Sequence, residues 1–461
     1  MAVIERVVPA TGEDAPGPLA LPVQLYLVTV LLTVSVQIGP LYVTGLRALL
    51  IVLVLPLAFG LVNGRFGPPR AVDGFFAAHL LWAGLALALD NPGRVVENFG
   101  AQGVEFSGGY LLARAHIRSA ADFRALCRAL TLLTLATLPL ALWEAATGQA
   151  PLIALLSALP GVATVAPVEA GLRLGLHRVQ MDFAHPIHYG LFCSVAFVFC
   201  LLGLNRVFPD GARRLAAAAV VLCGGLALSS GALLAMALQL GLLAWHRIFG
   251  ASRYCWGALI GVLGSGYLVV DLAAHRTPMQ LFMAYATFDA QTAYYRKLIF
   301  DWGMVNVLAH PAFGIGLNDW VRPSFMASPS VDNFWLLTAM RYGLPGFAFL
   351  AAGWGLALVQ VARRDLAGDP GLEALRRAWV FAMVGLSFTL ATVDIWRTIY
   401  SFTVFLFGAG VWLLEAEPSE RPAPPDPAPH RRHAPPLYRR PGLTTARPRQ
   451  PARRTRFPPA G

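Results

Sequence analysis

The sequence predicts an all-α polytopic membrane protein of about twelve transmembrane helices. A large external loop separates the ninth span from the tenth, and a disordered Pro/Arg-rich tail ends the chain. Three observations lead there. Of the 461 residues, 56% are hydrophobic and 13% charged, whereas a soluble globular domain carries about a quarter charged residues. The apolar residues come in runs of roughly twenty, the helix length that crosses a bilayer core about 30 Å thick. The runs are unbroken Leu, Ala and Val, unlike the short alternating segments of a membrane barrel.

In order, the spans are Leu21–Gly39, Thr44–Val62, Ala71–Leu89, Asn98–Ile117, Ala125–Trp143, Ile187–Leu204, Leu215–Leu228, Ala232–Trp245, Tyr254–Leu272, Leu344–Val361, Ala378–Val393 and Thr398–Leu414. Asn98–Ile117 is the most polar of them and holds Glu105, the main mid-span charge. With the N-terminus inside, the internal connections Asn63–Arg70, Arg114–Arg124, Asn205–Arg214, His246–Arg253 and Val361–Arg377 each carry at least two arginines, as the positive-inside rule requires. A missed span would invert half of them, so the agreement favours an even count and places both termini inside. The external side then holds Asp90–Glu97, a long loop at 144–186, a turn near Ser229, a second long loop at 273–343, and Asp394–Arg397. The chain thus divides into an N-terminal segment 1–20, a membrane domain 21–414 and a tail 415–461. The N-terminal segment contains Glu5, Glu13 and Asp14 and lacks the basic start of a cleavable leader, so the first span is expected to be retained.

The net charge of +11 is not a nucleic-acid signature. From Ala416 onward, ten arginines stand against Glu417, Glu420 and Asp426 and supply most of it. This proline-rich stretch has no periodicity and is read as disordered, with an anionic leaflet as its neighbour. It lacks the aromatic interleaving and folded motif of a nucleic-acid binder. Cys127, Cys193, Cys200, Cys223 and Cys255 lie in or near apolar runs, with no spacing for metal or disulfides.

Loops beyond about fifteen residues are usually functional or disordered. The first long loop contains GLRLGLHRVQMDFAHPIHYG, and the second contains QTAYYRKLIFDWGMVNVLAHPAFGIGLNDWVRPS. Within the second, Leu298, Ile299, Trp302, Val305 and Leu308 recur at three-four spacing, which predicts an amphipathic helix over Tyr294–Leu308 lying along the outer membrane surface. The loop runs into PSVDNFWLLTAMRYGLPGF, Pro329–Phe347, where an Asp-Asn pair, an arginine and a Leu-Pro-Gly break meet the lipid boundary. Charge and broken helix are costly there and usually functional.

Four stretches together resemble a known family. LWEAATGQAPLI is similar to a Glu-x-x-Thr-Gly exit from a span. LHRVQMDFAHPIHYG resembles an Arg, aromatic, His-Pro stretch. YYRKLIFDWGMVNVLAHPAFGIGLNDW resembles an Arg, Trp, His-Pro-x-x-Gly-x-Gly stretch. VDNFWLLTAMRYGLPG resembles His-Asn-x-x-Leu followed by Gly-x-x-Gly. In order and loop placement they resemble the O-antigen ligase and polysaccharide polymerase superfamily. That resemblance implies a multi-pass bacterial inner-membrane protein with periplasmic loops. It implies an enzyme that transfers glycan from undecaprenyl diphosphate to an acceptor-sugar hydroxyl, without metal, cofactor or nucleotide sugar. Implied partners are the carrier-linked oligosaccharide, the acceptor glycan, membrane lipid, and flippase and chain-length regulator proteins.

The chemistry needs cations for the diphosphate leaving group and a base for the hydroxyl. The resemblance puts Arg178 and Arg296 at the diphosphate. Each also reads as a solvated loop charge or headgroup anchor. Lys297 and Arg322 could assist or snorkel. Asp332 stands where the family pattern has histidine. It could deprotonate the acceptor, as carboxylates do in glycoside chemistry, or cap the following helix. The Asp variant resembles exopolysaccharide polymerases more than ligases. Asn333 could orient the base or an acceptor hydroxyl, or be a first-turn polar residue. Arg341 is either a site cation or a boundary anchor. Half a helical turn separates it from Asp332, and the Leu344-Pro345-Gly346 break comes too late to bring them together. His185 could contact glycan or phosphate. With Asp182 and His188 it forms an Asp-x-x-His-x-x-His run, but Pro186 interrupts a shared helical face, so a metal is not expected. LSSGALLA, Leu228–Ala235, has Gly231 where the family often has arginine, so one cationic contact is lost or supplied elsewhere, as by Arg341. Gly314 and Gly316 lack the strand-loop-helix setting of a nucleotide fingerprint.

The expected activity is polymerisation of lipid-linked repeats. The alternatives are ligation of finished glycan to lipid A core or protein, and transport or flipping, for which mid-membrane charge pairs would be expected.

Overall fold

The computed structural model describes residues 16–38, 41–169, 171–252, 254–273 and 290–418. The expected tail beyond 418, the first fifteen residues, and 274–289 of the second loop lie outside the described residues. In chain order the helices are α1 (Leu21–Leu31), α2 (Gly45–Val62), α3 (Ala71–Asp90), α4 (Val95–His116), α5 (Ala120–Thr147), α6 (Pro151–Ser157), α7 (Pro186–Val198), α8 (Asp210–Leu226), α9 (Ser230–Phe249), α10 (Cys255–Ala273), α11 (Ala290–Ala309), α12 (Phe334–Arg363), α13 (Pro370–Leu390) and α14 (Thr398–Gly408). A π-helical turn, Phe199–Gly203, extends α7. Each expected span overlaps a helix. Among the described residues, seven segments are long and apolar enough to cross a membrane: α2, α3, α5, α7 with its π-turn, α9, α10 and α12.

The first expected span is shorter than its hydropathy suggests. α1 ends at Leu31, and Ser35–Ile38 pairs antiparallel with Leu41–Thr44. The stretch Thr33–Ile38 alternates β-branched residues, which favours extended backbone. Ser35 and Ala163 exchange backbone hydrogen bonds of 2.8 and 2.9 Å, so this ribbon anchors the first long loop.

Helix starts follow capping chemistry. Thr44 accepts from the Arg47 N–H, Ser119 from that of Asp122, and Asp369 from those of Gly371 and Leu372. α5 stops at Gly148, in the left-handed region at φ 73°. The α7 segment is the most enclosed of the apolar helices and α10 the least, 83% and 6% buried, so α7 is central and α10 peripheral. Glu105 of α4 is 2% exposed and pairs with Arg47 of α2 at 2.7 Å, which satisfies a charge otherwise costly inside the bundle.

α12 packs against α3. Trp82 Nε1 donates to the Tyr342 carbonyl at 3.1 Å, and His79 Nδ1 meets the Gly346 carbonyl at 2.8 Å. The helix breaks at Gly343 (φ 69°, ψ 179°), one residue before the expected Leu-Pro-Gly. Such angles are essentially confined to glycine. An added Cβ would also sit 2.1 Å from the Ala312 carbonyl oxygen. Gly343→Ala should therefore destabilise the fold by at least about 1–3 kcal/mol, measured as a drop in thermal midpoint in detergent.

The amphipathic helix of the second loop is present as α11, but its buried stripe is rotated. Ile299, Asn306 and Val307 are buried, while Val305 and Leu308 are 51% and 68% exposed. Gly303 lets α11 approach Leu336 of α12. Asn306 can sit in the stripe because its amide donates to the Trp302 and Val321 carbonyls and accepts from the Val321 N–H.

Candidate functional site

A cavity of about 320 Å³ lies at one end of the bundle, where α7, α9 and α12 begin and α13 ends. Arg173, Arg178, Arg296, His185, Asp332 and Asp394 line it, with Ser229, Ser230, Ser330 and Trp396. Arg178 and His185 of the first long loop, Arg296 of the second and Asp332 thus share one chamber.

The first long loop reaches the cavity because Glu144 holds it. Its carboxylate accepts from the backbone N–H groups of Gln180 and Met181 at 2.8 and 3.2 Å, which gives the Glu of LWEAATG a mechanical role. Asp182 is also engaged, accepting from the Thr33 N–H and the Thr164 hydroxyl. Val179 N–H donates to the Leu226 carbonyl at 3.0 Å. Next to that contact, Arg173 Nη1 donates to the Leu228 carbonyl at 2.7 Å and Arg178 Nε to that of Ala227 at 3.3 Å. These carbonyls follow the end of α8, the negative pole of its dipole, so the helix end orients both guanidinium groups. Burial, reinforced by Arg173, pushes Arg178 down to about 10, still a cation near neutrality.

Arg296 comes from α11. Its Nε is buried with no hydrogen-bond partner among the described residues. Burial lowers its pKa, Asp332 offsets this, and Arg173 adds to it. Arginine does not deprotonate near neutral pH, so crowding three guanidinium groups here creates demand for an anion.

Asn333, not Asp332, caps α12, its side chain accepting from the Leu336 N–H at 3.0 Å. Asp332 lies one residue before that cap and accepts from the Ser330 hydroxyl at 2.9 Å. His185 caps α7, its Nδ1 accepting from the Ile187 N–H at 3.2 Å. Burial and Arg178 push it down to about 4. It is a neutral ring whose proton is on Nε2.

Two further groups complete the chamber. Arg173 supplies the third cation. Gly231 packs against Thr389 and Val393, which an added Cβ would meet at 3.1 and 3.2 Å. Arg173 lines this chamber, and Arg341 is not in its lining. Asp394, in the turn from α13 to α14, is raised to about 7, chiefly by burial. Arg341 and the Ile395 N–H act the other way, and Asp332 raises it further. Its signal in the sequence was an Asp-x-x-Arg turn within an apolar stretch.

Asp394 and Trp396 also line a second cavity of about 310 Å³, which contains Arg47, Glu105, Arg341, Tyr342 and Arg397. Arg341 therefore adjoins the first chamber through Asp394. Arg322 lies in a broader groove of about 860 Å³ that meets the first chamber at Ser330 and the second at Arg341. It is bonded to Asp319 and to the Met326 carbonyl. Lys297 pairs with Asp301 on its own helix. His185 and His188 are 6.4 Å apart between ring centres, and among the described residues no three His, Cys, Asp or Glu side chains gather as a metal set.

The fold and chamber define a helical membrane protein with a cationic, carboxyl-bearing cavity at one end. No family model matches the chain, and no curated protein matches it in sequence.

Proposed function

We propose that this protein is a bacterial inner-membrane glycosyltransferase that polymerises oligosaccharide repeats carried on undecaprenyl diphosphate. In this reading the chain crosses the membrane twelve times, both termini are cytoplasmic, and the chamber opens on the periplasmic face. One observation carries the proposal: three arginines and two aspartates share a single chamber at the end of apolar helices. Arg173, Arg178 and Arg296 hold the carrier diphosphate, whose negative charge grows as the bond to the sugar breaks. Asp394 takes the proton of the attacking hydroxyl, and burial, with a smaller contribution from Asp332, keeps that carboxyl poised near neutrality. The new glycosidic bond forms at the donor sugar's anomeric carbon, and the diphosphate departs on its lipid. Neutral His185 is placed to donate a hydrogen bond to glycan or phosphate oxygen. The Asn333 side chain serves as a cap, and Lys297 and Arg322 stand outside this scheme. Loops whose sequences resemble the superfamily's motifs meet at the chamber, which supports the same reading.

Ligation of finished glycan would use the same chamber with another acceptor. Glycan from a deletion strain discriminates the two. Loss of chain length with single repeats still made is the expected result. Loss of attachment alone assigns ligation. Unchanged glycan with altered substrate flux in vesicles assigns transport.

A further inference from the structure

At the opposite end of the bundle, an apolar slot of about 190 Å³ lies between α9, α10, α12 and α13. α9 runs from Ser230, in the chamber, to His246 beside the slot. α13 runs back from Arg376 and Arg377, at the slot, to the Thr392–Asp394 turn. The slot walls are Leu242, Trp256, Leu259, Val380 and Phe381, with Ile260 71% exposed at its outer edge. α10, which forms the outer wall, is the least enclosed of the apolar helices.

Arg376 and Arg377 line the same slot. Arg376 donates to the Arg364 carbonyl. Arg377 Nη1 bonds His246 Nε2. A guanidinium can only donate, so that imidazole nitrogen accepts and the ring proton is on Nδ1. His246 Nδ1 and Arg377 Nε are both buried without a hydrogen-bond partner among the described residues. Two guanidinium groups therefore sit at the head of a greasy channel, and His246, stacked on Trp256 and bonded to Arg377, lies beside it, with Glu373, one turn earlier on α13, offsetting one charge. An unmet buried donor costs about 1–3 kcal/mol, and a phosphate oxygen would relieve it. The internal connections at this end are the arginine-bearing ones, which face an anionic leaflet. Basic pockets between transmembrane helices on that side suit acidic lipid headgroups.

We propose that this slot is a binding site for an anionic phospholipid, with an acyl chain between α10 and α13 and the phosphate at Arg376, Arg377 and His246. The test is native mass spectrometry of the full chain, purified in detergent and exposed to phosphatidylglycerol or phosphatidylcholine. The intact protein should retain phosphatidylglycerol selectively. The double variant Arg376→Ala/Arg377→Ala should lose about tenfold in retention, the scale of a lost charge-assisted contact. Ile260→Trp, which fills the slot from an exposed position, should also lose lipid while keeping every cation. Arg178→Ala, at the far chamber, should retain lipid as before. Equal retention of the two lipids, undiminished retention in both slot variants, or preferential capture of added polyprenyl phosphate would overturn the proposal. The glycan phenotype plays no part in these readouts, so the site stands or falls separately from the proposed activity.

Discussion

Arg296→Ala should stop polymer growth, cutting transfer by about two to three orders of magnitude, while single repeats accumulate on their carrier. The expectation rests on the side chain's position. Its side chain is half-buried, its Nε is buried with no hydrogen-bond partner among the described residues, and it shares the chamber with Arg173 and Arg178. Such a group costs stability in the free protein, and a bound diphosphate offsets that cost through charge-assisted hydrogen bonds. The variant should therefore melt no lower than the parent. A purely structural arginine would behave in the opposite way, lowering the melting point together with activity. Arg296→Lys keeps the charge but loses the bidentate fork and should recover only part of the rate. Polymer of normal length from Arg296→Ala would remove this residue from the site.

Asp394→Asn should lower transfer by about 10²–10⁴-fold, the contribution of a general base, and abolish its pH dependence. In the parent, the rate should climb with pH around a midpoint near 7, as the carboxyl, raised to about 7, loses its proton. Asp332 is one cause of that elevation, so Asp332→Asn should move the midpoint to lower pH and leave the profile's shape intact. Stability follows the same linkage with a defined sign. A carboxyl whose folded pKa is raised contributes most below its ordinary value of 3.8, and that contribution is lost as pH rises through about 7. Asp394→Asn should thus match the parent near pH 4 and melt higher than it at pH 8. A flat parental rate profile between pH 6 and 8, or an Asp394→Asn enzyme of parental rate, would refute the assignment.

Much of this architecture was legible because it is local. A run of twenty apolar residues forms a helix in lipid whatever surrounds it, since its backbone groups must bond within the segment. Every expected span overlaps a helix for that reason. Arg178, Arg296 and Asp332 could be singled out because they lie in the short stretches that carry the family resemblance. Features governed by distant partners were less visible. The strand Ser35–Ile38 depends on Ala163, and the buried stripe of α11 depends on an amide satisfied by Val321. The cap of α12 fell to Asn333, one residue after the expected Asp332, and which of two adjacent caps engages is decided by where the chain enters the helix. Arg173 looked like an ordinary loop charge until the Leu228 carbonyl aligned it beside Arg178.

The sequence by itself determined the solvent this protein folds in, the positions of its apolar helices and the polarity of its loops, because hydropathy and charge act over one helix length. Tertiary structure alone decided which polar side chains meet. Asp394 joins Asp332 and the three arginines only because α13 ends where α7, α9 and α12 begin. That convergence depends on helices packing across long sequence separations, and the desolvation that tunes the chamber exists only once they have packed.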